Sequence, residues 1–299
     1  MAYDNPTTAF VQNYGNTVYM MAQQKESRLI NTVLTETPTG KRHFFELYNK
    51  TDEMNTVTQR FAPIATADTK HERRAVDLVD YDFSNLVDNF DRLKQLIDPS
   101  ASITQAQAAQ VARKMDKIII DAFFADMKTG ETGSTTSALP SGQQVAVNYW
   151  GSFGSGSGNA ALTVPKLIRA AQILDANEVP LEDRYFVVDA FNHSALLASA
   201  EVASRDFNVK PVLVDGRIND FMGFKFILSE QLPLDGSGHR RCVAFQKTGM
   251  GAAIPLSPMA DISQRKDLTS QPFQYYMMLS MAATRLENSK VVEVKALAS

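Results

Sequence analysis

The chain has 299 residues, of which 44% are hydrophobic and 21% charged, and its formal net charge is −3. That much apolar material supports a sizeable core, and the length is typical of about two domains. The weak acidic balance disfavours binding of duplex nucleic acid through a cationic groove. The single Cys242 excludes an internal disulfide and fits a reducing compartment. The N-terminus lacks the features of a signal peptide, and no apolar run approaches the length of a bilayer span. We therefore expect a soluble protein, made in cytoplasm, with no membrane partner.

The N-terminal 35 residues are polar with scattered apolar positions. Phe10, Val11, Tyr14, Val18 and Met21 fall at helix-like spacing, which predicts a short helix. Such a segment buries little surface by itself, so we expect an arm that packs on something else.

Residues 36–85 have the composition of extended chain. The runs KRHFFELY (41–48) and RRAVDLVDYDF (73–83) are rich in aromatic and β-branched residues, and the polar stretch 50–72 separates them. This pattern predicts a long hairpin with a polar tip. An isolated two-stranded hairpin is only marginally stable in water. Because no later segment obviously supplies a supporting surface, we expect the hairpin to lie on a neighbouring subunit.

A long helix is predicted from Ile103 to Thr129, with a capping box that starts at Ser102 and a C-terminal stop at Gly130. Its length of roughly 40 Å suggests a spine. The predicted apolar stripe comprises Val111, Met115, Ile118, Ala122 and Ala125.

The second half of the chain alternates between short helices and strands. A second helix is predicted from Val164 to Asn177, with Thr163 as its cap and Pro165 in its first turn. After it, a strand over 184–189, a helix capped by Asp189, and strands over 224–230 and 240–246 predict a compact α/β domain. The runs 272–286 and 290–297 predict two further strands, which we expect to return to the layer of the long helix.

No chemical motif matches its template. The stretch GSFGSGSGN (151–159) lacks the lysine of a phosphate loop and the third glycine of a dinucleotide fold, so a flexible connector is favoured. The four histidines and Cys242 have no metal-ligand spacing. The acidic run from Asp77 to Asp91 fails the calcium-loop template at Asn85, which favours a solvated face or inter-subunit salt bridges with Arg73, Arg74 and Arg92. No nucleophile elbow occurs. We predict no catalytic residue, no metal and no cofactor, and hence a protein that is not an enzyme.

Two segments of the second half resemble the major capsid proteins of tailed bacteriophages. They are KLIRAAQILDANEVPLEDRYFVVDAFNHSALL (166–197) and GRINDFMGFKFILSEQLP (216–233). The beginning of the chain, MAYDNPTTAFVQNYGNTVYMMAQQK, is also similar to the start of short capsid proteins in this group.

The resemblance implies an α+β fold of the Hong Kong 97-like type, whose parts follow the order of the predicted elements. It implies an N-terminal arm (1–35), an extended β-hairpin called the E-loop (36–85), and an α/β axial domain (181–262). A discontinuous peripheral domain (86–180 and 263–299) would contain the long spine helix.

By the same resemblance, the chain is expected to be a major capsid protein that self-assembles through pentamers and hexamers into an icosahedral shell around double-stranded DNA. It would reside in the virion capsid, be assembled in host cytoplasm, and enclose DNA without sequence-specific binding. Implied partners are copies of itself, a separate scaffolding protein and a portal; a decoration protein is left open. Two alternatives remain: an encapsulin-type cellular nanocompartment shell protein and a metabolic enzyme with an α/β lobe.

Charged residues near the predicted hairpin are the candidates for contacts between subunits. We expect inter-subunit ion pairs at Arg60, Asp68, Glu72, Arg73 and Arg74.

Overall fold

The computed structural model describes residues 23–48, 56, 70–89, 100–151, 156, 158–199, 213–214 and 217–298. The predicted N-terminal helix and most of the predicted hairpin tip lie outside these ranges. The helices are α1 (Ser100–Phe124), α2 (Val164–Ala176) and α3 (Ala190–Leu197). The strands of the N-terminal half are β1 (Leu34–Glu36), β2 (Arg42–Tyr48), β3 (His71–Asp77), β4 (Val79–Val87), β5 (Met127–Thr129), β6 (Thr135–Ser137) and β7 (Gln144–Val145). Those of the C-terminal half are β8 (Arg184–Val188), β9 (Leu213–Val214), β10 (Arg217–Ile218), β11 (Asp220–Phe221), β12 (Phe224–Leu228), β13 (Arg240–Gln246), β14 (Met250–Gln264), β15 (Phe273–Arg285) and β16 (Val291–Ala296).

Three larger sheets organise these strands, beside the small pair β9–β10. The long-strand sheet has the order β1-β14-β15-β4, the hairpin sheet β2-β3-β5-β6, and the central sheet β11-β12-β8-β13-β16-β7. Strands β8 and β12 of the central sheet are parallel, as expected for strands joined by a crossover through α3. One apolar core joins α1, α2, the central sheet and the inner face of the long-strand sheet.

The second helix and most of the later strands confirm the sequence predictions. Helix α2 begins after Thr163 and carries a proline in its first turn, as predicted. Asp189 precedes α3, but its carboxylate accepts a hydrogen bond from Asn192 instead of capping the backbone. The last strand, β16, pairs with β13 and therefore belongs to the central sheet, whereas β15 lies against α1.

The spine helix is displaced towards the N-terminus relative to its prediction. It starts at Ser100, two residues before the expected cap, and ends at Phe124, five residues before Thr129. The chain leaves the helix because residues 127–129 form a strand, of which Lys128 and Thr129 pair with β3, and Gly130 lies at φ +91° in the turn that follows. The most buried side of the helix also differs from the predicted apolar stripe. It includes Asp116, whereas Met115 and Ile118, at the centre of the predicted stripe, are only partly buried.

The predicted second hairpin strand is divided between two sheets. Residues 71–77 pair with β2, while residues 79–87 pair with β15, and the break falls at Leu78, whose N–H donates to the carbonyl oxygen of Lys41. The expectation that only a neighbour supports the hairpin is wrong for its base. There, Phe45 packs with Val76 against Ala253, Ala282 and Leu286 of the same chain.

The sequence analysis assigns no strand to residues 250–264, and Pro255 and Pro258 within this stretch are unusual in a strand. The register with β15 shifts between Ala253 and Leu256 and again between Leu256 and Met259. Irregularities of this kind admit prolines in a strand, since the ladder is already interrupted there.

A buried arginine joins the spine helix, the hairpin sheet and the turn that precedes β16. Arg285, at the end of β15, is fully buried; its Nη1 donates to the carbonyl oxygen of Phe123 (2.6 Å) and its Nη2 to that of Ser137 (3.3 Å). Its Nε donates to Asn288 Oδ1 (3.1 Å) in the turn before β16. The guanidinium thereby caps the C-terminal end of α1, where a cation is favourable, and fixes that end to the hairpin sheet and to the turn before the central sheet.

We expect Arg285→Leu to lower the free energy of unfolding by about 2–4 kcal/mol, because it leaves buried carbonyl groups without donors. Guanidinium unfolding of unassembled subunits measures this loss. Arg265→Leu is the control, since Arg265 forms an exposed pair with Asp267 and its loss should cost less than about 1 kcal/mol. Equal effects of the two substitutions would contradict the role given to Arg285.

Candidate functional site: the base of the hairpin and the outer sheet face

A cleft of about 850 Å³ opens where the hairpin sheet meets the end of the spine helix. Its lining combines charged residues of β2 and β3 with residues of the β5–β6 turn. The lining residues are Glu46, His71, Glu72, Arg73, Arg74, Met127, Thr129, Gly130, Glu131 and Ser137. Three of the five predicted contact residues thus come together here, while Arg60 and Asp68 lie outside the described residues.

Arg73 and Arg74 differ in what they contact, although they are adjacent in the sequence. Arg74 is almost buried; its Nε donates to the carbonyl oxygen of Leu286 (2.9 Å), and it pairs with Glu72. Arg73 pairs across the strands with Glu46 (3.0 Å), and both side chains are about half exposed. Arg74 therefore attaches the hairpin to its own subunit, whereas the Arg73–Glu46 pair is exposed, as are His71, Gly130 and Glu131 of the same lining.

A second charged cluster holds the other end of the same two strands together. Asp77 accepts hydrogen bonds from Arg42 (2.5 and 3.1 Å) and from Lys128 of β5 (2.5 Å). The hydrogen bonds from Arg42 and Lys128 lower the pKa of Asp77 to about 2. The sequence analysis placed Asp77 in a generic acidic run, because the two cations that select it belong to β2 and β5.

The long-strand sheet exposes apolar side chains on the face turned away from the core. Met278 lies between the buried Met277 and Leu279, so it points to the opposite face. Its register partner Met259 and the nearby Leu86 share that face and are also exposed. By the same register, three acidic residues belong to this face: Asp80, Asp82 and Asp261.

The glycine-rich stretch has a defined contact where the structure describes it. The indole ring of Trp150 packs so closely on Gly156 that a Cβ atom there would lie 2.4 Å from the ring. The indole N–H donates to the carbonyl oxygen of Gly158 (2.8 Å). Gly156 thus accommodates the aromatic ring and Gly158 accepts its hydrogen bond, while residues 152–155 and 157, on which the prediction of a flexible connector also rests, lie outside the described residues.

Within the described ranges, no group of three or more His, Cys, Asp or Glu side chains could hold a metal ion. Cys242 is buried, and burial raises the pKa of its thiol, which suppresses the thiolate needed for nucleophilic chemistry.

None of the helices in the described part of the chain combines the length and apolar character needed to cross a membrane.

The model of the phage capsid protein family matches residues 7–297. The chain belongs to the phage capsid protein family. Among curated protein sequences, none matches at a significant level. The match spans nearly the whole chain and therefore includes both the hairpin and the spine helix. The family is one of structural capsid proteins.

Solved capsid structures share the fold of this capsid protein. The capsid of cyanophage P-SCSP1u is similar with a TM-score of 0.74 at 17% identity, over 98% of this chain and 94% of that one. The cyanophage Pam1 capsid gives 0.74 at 13% identity, over 99% of both chains. The SrpI encapsulin of Synechococcus elongatus PCC 7942 gives 0.62 at 13% identity, over 99% and 96%. The fold is Hong Kong 97-like, and phage capsids predominate among the similar structures.

We expect acid to remove the contribution of Asp77 to stability. Because its pKa is lowered to about 2 in the folded state, the unfolded state takes up a proton first as the pH falls. The contribution is complete above about pH 5 and is lost between about pH 4 and pH 2. Unfolding free energies of the parent protein and Asp77→Asn should therefore converge over that interval. Parallel pH profiles of the two proteins would contradict this assignment.

Proposed function

We propose that this capsid protein self-assembles through pentamers and hexamers into an icosahedral shell that encloses double-stranded DNA. Family membership and the fold support a shell subunit. The observation that carries the proposal is the match of the phage capsid family model over residues 7–297; the exposed side chains of Met259, Met278 and Leu86 on the outer sheet face are available for contacts between copies. The location would be the virion capsid, assembled in host cytoplasm.

We infer the following division of the chain. Residues 1–35 form the arm, 36–85 the E-loop, 181–262 the axial domain, and 86–180 with 263–299 the peripheral domain. The contact of β15 with α1 supports the return of the chain to the spine helix after the axial domain. The pairing of β16 and β7 within the central sheet makes the two proposed domains share that sheet.

The partners follow from the same proposal. Copies of the chain would meet through many weak contacts that repeat around a closed shell, which makes assembly cooperative. A separate scaffolding protein and a portal would complete the particle, and a decoration protein is compatible with it. The net charge of −3 fits a shell that confines DNA without gripping it.

An encapsulin-type compartment is the second candidate, because the SrpI encapsulin has a similar fold over 99% of this chain. Electron microscopy of the purified protein, with analysis of the contents of native particles, tests both candidates. Closed shells that contain DNA support the capsid, and shells that contain a cargo enzyme support the compartment. A stable monomer or dimer without higher assembly would contradict both.

Deletion of residues 50–69 keeps the pairing of β2 with β3 and removes the proposed tip of the E-loop. We expect soluble capsomers that fail to close into stable shells, because the tip would no longer lie across a neighbour. Negative-stain microscopy and size-exclusion chromatography measure shell yield and capsomer yield. Shells of normal yield from this deletion would refute the E-loop assignment.

The exposed Arg73–Glu46 pair tests the proposed ion pairs between subunits. Arg73→Ala should change subunit stability by less than about 1 kcal/mol but reduce shell yield by several-fold, because each lost contact recurs in every copy. Arg265→Ala is the matched control, since the Arg265–Asp267 pair has nearly the same exposure. Equal shell yields from the two variants would show that Arg73 acts only within its own subunit.

A further inference from the structure

One buried carboxylate fastens the first described segment of the chain to the spine helix. Asp116 of α1 is 1% exposed. It accepts hydrogen bonds from Ser27 Oγ (2.6 Å) and from the backbone N–H groups of Arg28 (3.0 Å) and Leu29 (3.2 Å). The side-chain amide of Gln24 also donates to it. We call residues 23–36 the strap.

The chemistry of these contacts requires a carboxylate at this position. All four partners are neutral N–H or O–H donors, and two of them belong to the backbone, so the position of the strap is fixed and not only its side chains. A buried anion is tolerated where several hydrogen bonds are aimed at it. An amide in its place would turn one N–H₂ group towards these donors, so asparagine cannot reproduce the arrangement.

The strap continues from Asp116 into the other layers of the subunit. The guanidinium of Arg28 donates to the carbonyl oxygen of Leu228 in the central sheet. Leu29 and Val33 are buried in the main core, and β1 pairs in parallel with β14 of the long-strand sheet. On the N-terminal side, Arg113 of α1 donates to Gln23 Oε1 (2.6 Å). The strap is thus attached along its whole length, and its attachment begins on α1.

The described chain therefore begins at a fixed point on the spine helix, at Gln23, and residues 1–22 precede that point. They carry Phe10, Val11, Tyr14, Val18 and Met21, which need a surface to cover them. An extended chain of this length spans up to about 70 Å, which is enough to reach a second copy. Where such a segment can bind depends on the point and direction of its exit.

We propose that Asp116 is a positioning residue for assembly: it fixes the exit point from which residues 1–22 reach a second copy of this chain. This inference rests on the proposed shell function. Asp116 acts through the strap, so its loss should free the strap and disturb shell closure while the subunit stays folded.

Limited trypsin digestion measures release of the strap directly, because Lys25 and Arg28 lie within it. In Asp116→Asn, we expect fragments that begin at Glu26 or Leu29 to appear at least about tenfold faster than in the parent protein, since three or four hydrogen bonds weaken together. Shell yield should fall to the level of a deletion of residues 1–22, as measured by microscopy.

Gln107→Ala is the matched structural control. Gln107 lies on the same helix, is 2% exposed and donates a hydrogen bond to the carbonyl oxygen of Tyr275 (2.9 Å), away from the strap. In Gln107→Ala, we expect the rate of trypsin cleavage in the strap to stay within about twofold of the parent rate. If Asp116→Asn and Gln107→Ala lose shells equally with equal cleavage, Asp116 has only a structural role and the inference is overturned.

Ser27→Ala keeps the inference testable if Asp116→Asn does not fold. It removes one of the four hydrogen bonds to Asp116 and the hydrogen bond that Ile30 N–H donates to Ser27 Oγ (3.2 Å), and we expect cleavage in the strap to rise about threefold without loss of the folded state. Where both variants fold, Ser27→Ala should have a smaller effect in the Asp116→Asn background than in the parent protein, because the hydrogen bond between the two groups is already weakened there. Additive effects would overturn the inference.

The two proposals fail in distinguishable ways. A parent protein that forms no shells contradicts the proposed function, while trypsin digestion still measures the strap. A parent protein that forms shells, together with Asp116→Asn that forms normal shells or is cleaved at the parent rate, overturns the role of Asp116. Normal shells from the deletion of residues 1–22 overturn it as well.

Discussion

The guanidinium of Arg285 is the interaction on which the arrangement of the layers depends. It is buried among the C-terminal end of α1, the end of β6 and the turn before β16, and it donates in all three directions. The next residue, Leu286, offers its carbonyl oxygen to Arg74 of the hairpin. A planar group with five donors can satisfy such divergent acceptors, whereas a lysine presents a single point charge. Spine helix, hairpin base and central sheet therefore hold one another in place.

Local signals were sufficient for the parts of the fold that local contacts determine. Thr163 and Pro165 mark the start of α2 in the sequence, and the buried run 184–188 marks β8. The end of α1 could not be found in this way, because a strand that is distant in the sequence determines it. Thr129, predicted to be helical, pairs with Arg74 of β3. Strand β14 was not predicted, and its prolines, which are unusual in a strand, occur where the register with β15 shifts.

The candidate site shows the same division. Glu72, Arg73 and Arg74 were found because charges cluster beside a predicted hairpin. Asp77, Asp116 and Arg285 were not, since each is chosen by partners that are remote in sequence: Ser27 lies 89 positions from Asp116, and Phe123 lies 162 positions from Arg285. No spacing rule within a window of helix or strand length could single out these residues among other charged ones.

Strong contacts and weak contacts are separated in this subunit, and the separation suits a shell. The buried charges of Asp116, Arg74 and Arg285 fix the bases of the strap and the hairpin, whereas the Arg73–Glu46 pair and the side chains of Met259 and Met278 are exposed. Groups that are already held rigidly lose less conformational freedom when they bind, so individually weak contacts can suffice for association. The strong buried hydrogen bonds thus lie within the subunit, and under the proposed shell function the exposed groups are left for weak, reversible contacts between copies.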